Sequence, residues 1–228
     1  FEAAVGYRDA EERIHEPYMT AGNFYLTQGK FDAAVAMFTR AGEEGQESVL
    51  RSQYLHAEDA MRRESWREAE QAFRAAGDYS DASMRITEPY LTAGDLLLAQ
   101  AKFDEALTMF ALAGADGTER ISLTHVMHAE ALMAQQDWDS ANREFALADN
   151  TEGMESRVNE PYLSAGDHFL AAGDYEQAIA MYAKAGDAGK EKILKVHYAK
   201  AEAFLAQQQW EKASASFAAA GEYILQLA

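Results

Sequence analysis

The motif Glu-Pro-Tyr-x-Thr/Ser-Ala-Gly occurs three times in 228 residues, beginning at Glu16, Glu88 and Glu160, and Trp66, Trp138 and Trp210 keep the same interval of 72. A repeat this regular requires one folding unit stacked along an axis, because a single copy buries too little of its apolar face to stand alone. Each 72-residue block splits into two related halves of 36. Phe31, Ala34, Phe38 and Ala41-Gly42 of the first half are answered by Trp66, Ala69, Phe73 and Ala76-Gly77 of the second. The units are residues 16–51, 52–87, 88–123, 124–159, 160–195 and 196–228, and residues 1–15 align with 73–87 as the end of a preceding unit. The expectation is a single solenoid over 1–228 that is a piece of a longer protein.

The apolar spacing within a unit is helical. Leu50, Tyr54, Ala57 and Met61 step by four, three and four, and Trp66, Ala69, Phe73 and Ala76 by three, four and three, which places each set on one helix face. Alternating runs are missing, so no strand is expected. Arg62 to Ser65 is a short polar connection, and Gly77 is read as a left-handed helix end with Ser80 or Asp81 capping the next start. Each half is then an antiparallel helix pair, and the fold class is all-α, a right-handed α-solenoid of about six helix-turn-helix units. Pro17, Pro89 and Pro161 admit two readings. A proline can open a helix behind Thr87 or Asn159 as cap, or it can bend a long one. The stripe Ala82, Ile86, Tyr90, Ala93 and Leu97 favours the kinked long helix.

Tyr18, Ala21-Gly22, Tyr25, Gly29, Phe31, Ala34, Phe38 and Ala41 resemble the tetratricopeptide repeat (TPR) signature. The equivalents are Tyr90, Ala93-Gly94, Leu97, Phe103, Ala106, Phe110 and Ala113, then Tyr162, Ala165-Gly166, Phe169, Gly173, Tyr175, Ala178, Tyr182 and Ala185. In the second halves His56-Ala57, His128-Ala129 and Lys200-Ala201 replace the small pair. The period is 36 instead of the family's 34, and no proline closes the second helix; a related Sel1-like solenoid also fits the longer period. The resemblance implies a fold of stacked helix pairs and a family habit of gripping peptide segments or partner proteins.

A net charge of −18, with 20 basic residues dispersed among 38 acidic ones, argues against a nucleic-acid partner, because phosphate binding relies on clustered Lys and Arg. Zero cysteines exclude disulfides and thiolate metal sites. No run of about 18 apolar residues suggests a membrane span. The start shows no basic-then-apolar leader, which leaves the compartment open, with the cytosol preferred.

The repeat family lines its concave surface with the first helix of each unit. Carried over residue by residue, that face holds Asn23, Glu58, Asp95, Glu130, Asp167 and Glu202, five of the six acidic, with Glu16, Glu88 and Glu160 as a second row. One turn away lie Met19, Tyr54, Leu91, Val126, Leu163 and Tyr198, followed by Leu26, Met61, Leu98, Met133, Leu170 and Leu205. Stacked helices stand roughly 8–10 Å apart, about one Debye length, so carboxylate fields add along such a wall. The expected function is a non-catalytic scaffold whose acidic concave groove takes a Lys/Arg-rich or amphipathic segment of a partner protein. The bland alternative is a solvated acidic face whose apolar neighbours pack between units. Another function class is a structural or sensor arm of a larger protein, contacting its own flanking domains or other copies.

Chemistry finds little support. His125 and His128 sit three apart with Glu130 nearby, but His125 has no repeat counterpart and His128 recurs with His56 as part of the repeat, so a structural role is expected rather than a metal site. Residues 186–190 differ from a phosphate loop, with Lys184 in place of the leading glycine and Glu191 where Ser or Thr would bind magnesium. No cofactor and no enzyme activity are expected. The tryptophans and the tyrosines of Glu-Pro-Tyr read as core, with the hydroxyls reaching backbone or water. The apolar tail Tyr223 to Ala228 packs on the last pair or, exposed, favours end-to-end self-association.

Overall fold

The computed structural model describes residues 13–148 and 157–221. Among them are twelve α-helices in sequential antiparallel pairs and no strand. The pairs are α1 (Glu16–Thr27) with α2 (Phe31–Arg40), α3 (Gln46–Arg62) with α4 (Trp66–Ala76), and α5 (Glu88–Ala99) with α6 (Phe103–Leu112). They continue as α7 (Thr118–Ala134) with α8 (Trp138–Leu147), α9 (Glu160–Ala171) with α10 (Tyr175–Lys184), and α11 (Lys190–Ala206) with α12 (Trp210–Ala219). The chain divides into two compact units, Phe1–Thr118 and Glu119–Ala228, and each is described by itself. The readings made for residues 1–12 and for the Tyr223 to Ala228 tail lie outside the described residues.

Each of the first five pairs is built on one buried aromatic ring of its second helix. Phe38, Phe73, Phe110, Phe145 and Tyr182 are buried to 1% exposure or less, and each such ring is worth about 1.5–3 kcal/mol of burial. The first helix meets the ring with a small residue. A Cβ on Gly22 would lie 2.5 Å from the Phe38 ring, and one on Gly94 or Gly166 2.3 Å from Phe110 or Tyr182, so in these pairs the helices approach as closely as backbone allows. Buried Ala57, Ala129 and Ala201 take that place in the other three. The five rings stand alternately 35 and 37 residues apart, so the 36-residue period is the mean of two unequal joints.

The turn inside every pair follows one design. Gly29, Glu64, Ala101, Gln136, Gly173 and Gln208 all have φ between +56° and +78°. In the first turn Gly29 N–H donates to the Leu26 carbonyl and Lys30 N–H to that of Tyr25, both at 3.0 Å, which closes a Schellman motif.

The prolines open helices. Glu88 is the first residue of α5 and Pro89 the second, and α1 and α9 begin the same way. The kinked helix expected through Pro89 is therefore not formed. The stretch before it bends through a 3-10 turn at Ala82–Met84, because a proline in the first turn lacks an N–H that no helical carbonyl would have used. Thr87 and Asn159 do hold the N-cap positions, but without a side-chain cap bond. Thr87 has φ −91° and ψ −15°, a helical setting that turns its hydroxyl away from the first-turn N–H groups, and that hydroxyl donates to Asp116 at 2.7 Å. Gly77 has φ +58° but ψ −125°, outside the left-handed helical region expected for it. Asp81 caps nothing and accepts from the Tyr54 hydroxyl at 2.8 Å.

A candidate binding face on the first helices

The acidic residues singled out in the sequence lie on the first helices α1, α3, α5, α7, α9 and α11, and most are held by cations of the same chain. Arg85 is the clearest case. Its guanidinium carbon stands 4.6 Å from the Phe73 ring centroid. It donates to Glu58 of α3, to Glu88 of α5 at 2.5 and 3.1 Å, and to the Tyr54 hydroxyl at 2.9 Å. The hydrogen bonds to Glu88 raise its pKa most, against the opposing effect of burial, with Glu58 adding to the rise. Arg157 repeats the arrangement in the second unit. It lies 4.7 Å from the Phe145 centroid and donates to Glu130 at 2.9 Å and Glu160 at 3.2 Å. Arg13 grips Glu16 with both carboxylate oxygens at 3.0 Å, and this hydrogen bond holds Glu16 below the usual carboxylate range.

One cation thus organises two carboxylates and caps the buried ring of the preceding pair, which makes it a joint between pairs as well as an electrostatic element. Arg85 is 20% exposed and Glu58 38%, so the cation sits inside and the carboxylates outside. Sequence reasoning missed these arginines, although the signal was present: Arg13, Arg85 and Arg157 each stand three residues before a Glu-Pro-Tyr.

Asp167 is tied differently. Lys192 Nζ donates to its two oxygens at 2.7 and 2.8 Å, and the Tyr182 hydroxyl at 2.5 Å. Burial pushes Asp167 up, but the bonds from Lys192 and Tyr182 outweigh it and hold the group below its ordinary value. Burial and Asp167 together push the Tyr182 phenol up. Asn23, Asp95 and Glu202 are exposed.

The apolar row beside these groups faces largely inward. Val126 is buried against Ala129, Ala141, Phe145 and Ala148, and Leu163 packs on the Ala178–Tyr182–Val196 cluster. Tyr54 stands edge-on to Phe73. Met61, Met133 and Leu170 lean on the same cores. Met19 and Leu91 are half-buried, and Tyr198 remains 40% exposed, edge-on to Phe217.

None of the tryptophans is fully buried. Trp66 and Trp138 are half-buried, and Trp210 is 62% exposed. Each opens the second helix of its pair, and Trp138 meets His168 of α9 at 6.3 Å between centroids. Of the Glu-Pro-Tyr tyrosines, Tyr162 donates its hydroxyl to the Asp139 carboxylate at 2.9 Å instead of to backbone or water. His125 and His128 converge on Glu144 at 2.8 and 3.3 Å, while Glu130 turns to Arg157. Among the described residues no group of three or more His, Asp or Glu is arranged to hold a metal ion. Residues Gly186–Gly189 form a 3-10 turn between α10 and α11. No described helix is long and apolar enough to cross a membrane.

No family model matches this chain, and no curated protein matches it. Among solved structures it is similar to BtubC (BKLC) from P. vanneervenii, with 13% identity over 93% of this chain and 92% of that one and a TM-score of 0.25, below the level at which a shared fold would follow.

Proposed function

We propose that this chain is a non-catalytic protein-binding scaffold, a TPR-like solenoid whose first-helix face takes a Lys/Arg-rich or amphipathic segment of a partner protein. Paired helices in tandem are the architecture of binding scaffolds. The observation that carries the electrostatic part is the ratio at the joints. Arg85 serves Glu58 and Glu88, and Arg157 serves Glu130 and Glu160, so each site keeps an excess negative charge. The more exposed carboxylates retain lone pairs for an incoming donor. The internal arginines hold the acids in place without cancelling them, and Asp95 and Glu202 add further charge on exposed positions.

The test is titration of the protein with an oligo-lysine, a Lys-faced amphipathic peptide and an acidic counterpart at low and high salt. The cationic peptides are expected to bind and to lose roughly tenfold in affinity as screening rises, and the acidic one not to bind. Glu58→Gln with Glu130→Gln keeps acceptors for Arg85 and Arg157 while removing two charges, so affinity should fall about fivefold with the fold intact. Equal affinity at both salt concentrations, or for the acidic peptide, would sink this reading.

A further inference from the structure

Where α2 ends and α3 begins, Thr39, Gly42, Glu43, Gln46, Val49 and Leu50 line a cleft of about 560 Å³, a size that suits a ligand group. The joint lies inside the chain, with α1 before it and α4 and α5 after it. Much of the wall is apolar. Leu50 is 37% exposed and Val49 half-buried, and the Thr39 hydroxyl is already spent on the Val35 carbonyl at 2.8 Å. Glu43 and Gln46 are exposed, and among the described residues Glu43 takes part in no ion pair. The other two copies fill these positions differently. In the second, Ser122 replaces Leu50, is buried and donates to the Ala148 carbonyl at 2.8 Å. In the third, Asp187 and Lys190 hold the places of Glu43 and Gln46, and Lys190 Nζ stands 2.6 Å from the Asp187 carboxylate. The first copy therefore combines an exposed leucine with an acid that lacks the cation its counterpart has. Leu50 also begins a row: Leu50, Tyr54 and Glu58 recur every four residues along α3 and so share a face.

We propose that this cleft takes an apolar side chain of the cationic partner segment, and that the segment runs along α3 in extended form. A leucine-sized residue enters the cleft, a lysine next to it pairs with Glu43, and a second basic residue four positions away reaches Glu58. The inference rests on the cationic-segment reading above and adds an anchor and a spacing to it. The spacing follows from geometry. Eight residues of helix set Glu58 about 12 Å from Leu50, and an extended chain covers that distance in about four residues, which also returns the side chain to the same side. The charge follows from the third copy, where the contact between Lys190 and Asp187 is the one the incoming lysine makes with Glu43. Arg85 holds Glu58 through Oε1, so Oε2 accepts from the second base.

Calorimetric titration at low and high salt tests it, with the sequence Lys-Leu-Ser-Gly-Ser-Lys and its reverse, each carried in a longer Ser/Gly peptide, and with controls that have serine in place of the leucine. In one of the two directions the leucine peptide is expected to bind about tenfold more tightly than its control. Leu50→Ser, which installs the residue of the second copy, should abolish that advantage and leave the control's affinity unchanged. Gln46→Lys, which installs the residue of the third copy, should supply Glu43 with a cation from within and weaken both peptides about threefold. Leu50 and Gln46 are exposed, so both variants should fold. Equal, salt-sensitive affinity for the leucine and serine peptides would overturn the cleft proposal and leave the cationic-segment reading standing. So would a leucine advantage that survives Leu50→Ser, or binding that ignores Gln46→Lys. If none of the peptides binds, or if salt has no effect, the cationic-segment reading falls and the cleft proposal falls with it.

Discussion

The joint from α2 to α3 and the joint from α4 to α5 connect the same kinds of helix by opposite means. In the first, a 3-10 turn at Gly42–Gly45 runs straight into the 17-residue α3, and Gly45 sits so close to the end of α2 that a Cβ there would stand 1.8 Å from the Phe38 carbonyl oxygen. Backbone alone fixes that geometry. In the second, the chain wanders from Gly77 through a short 3-10 turn to Glu88, and side chains close the gap: Arg85 on Phe73, Glu58 and Glu88, with Tyr54 bridging Arg85 and Asp81. The 72-residue period therefore alternates a joint set by close approach with one set by charge. The second is closed by charged side chains, so its own closure answers to salt or to a competing ligand.

The largest effect should come from the backbone-fixed joint. Gly45→Ala forces the turn off the Phe38 carbonyl, with an expected cost of about 3 kcal/mol or more. Gly42→Ala in the same turn meets nothing within 4 Å and strains only its φ of +71°, at about 1 kcal/mol. Denaturant unfolding of the two variants separates them, and equal losses would mean that close approach does not define this joint. Next comes the charge-fixed joint. Arg85→Ala strands Glu58 and Glu88 and uncovers Phe73, and should cost about 2 kcal/mol. Arg74, 67% exposed in its pair with Glu70, should cost well under about 1 kcal/mol on the same change. Hydrogen exchange locates the difference: Arg85→Ala should speed exchange in the first turns of α5 and leave α1 and α2 unchanged.

This contrast also explains what could be read from residue order. The pairs were legible because Gly22 with Phe38, and Ala57 with Phe73, recur at fixed spacing, and burial of a ring under a small residue is a short-range requirement. Glu58 and Glu130 were legible as matching positions on first helices. Their arginine partners were not, because Arg85 lies 27 residues beyond Glu58 and a charged side chain in a connection reads as solvated. Trp210 was misjudged for a related reason. Its place at the head of α12 is the place of Phe31 in α2, but burial there depends on the ring that packs against it, as His56 does on Phe31 and His168 on Trp138, not on the residue itself. The proline reading failed because the apolar stripe through Ala82, Ile86 and Tyr90 has helical spacing, while Ala82 and Ile86 reach the same core from a bent chain.

The smallest effect tests the feature that both kinds of pair share. All six turns inside the pairs need one residue at positive φ, yet only Gly29 and Gly173 are glycines; Glu64, Ala101, Gln136 and Gln208 adopt φ of +56° to +64° with a Cβ present. A left-handed setting costs a side-chain-bearing residue on the order of 1 kcal/mol, and the exposed Ala101 offers little packing in return. Ala101→Gly should therefore stabilise the protein by about 0.5–1 kcal/mol, although glycine in a helix or an extended segment normally does the reverse. Denaturant midpoints of Ala101→Gly and of Gly29→Ala should move in opposite directions by similar amounts. If both changes destabilise, the turns of α1–α2 and α5–α6 do not share one design, and the backbone strain at Ala101 is relieved by something other than its Schellman bonds from Ala101 N–H to Leu98 and Lys102 N–H to Leu97.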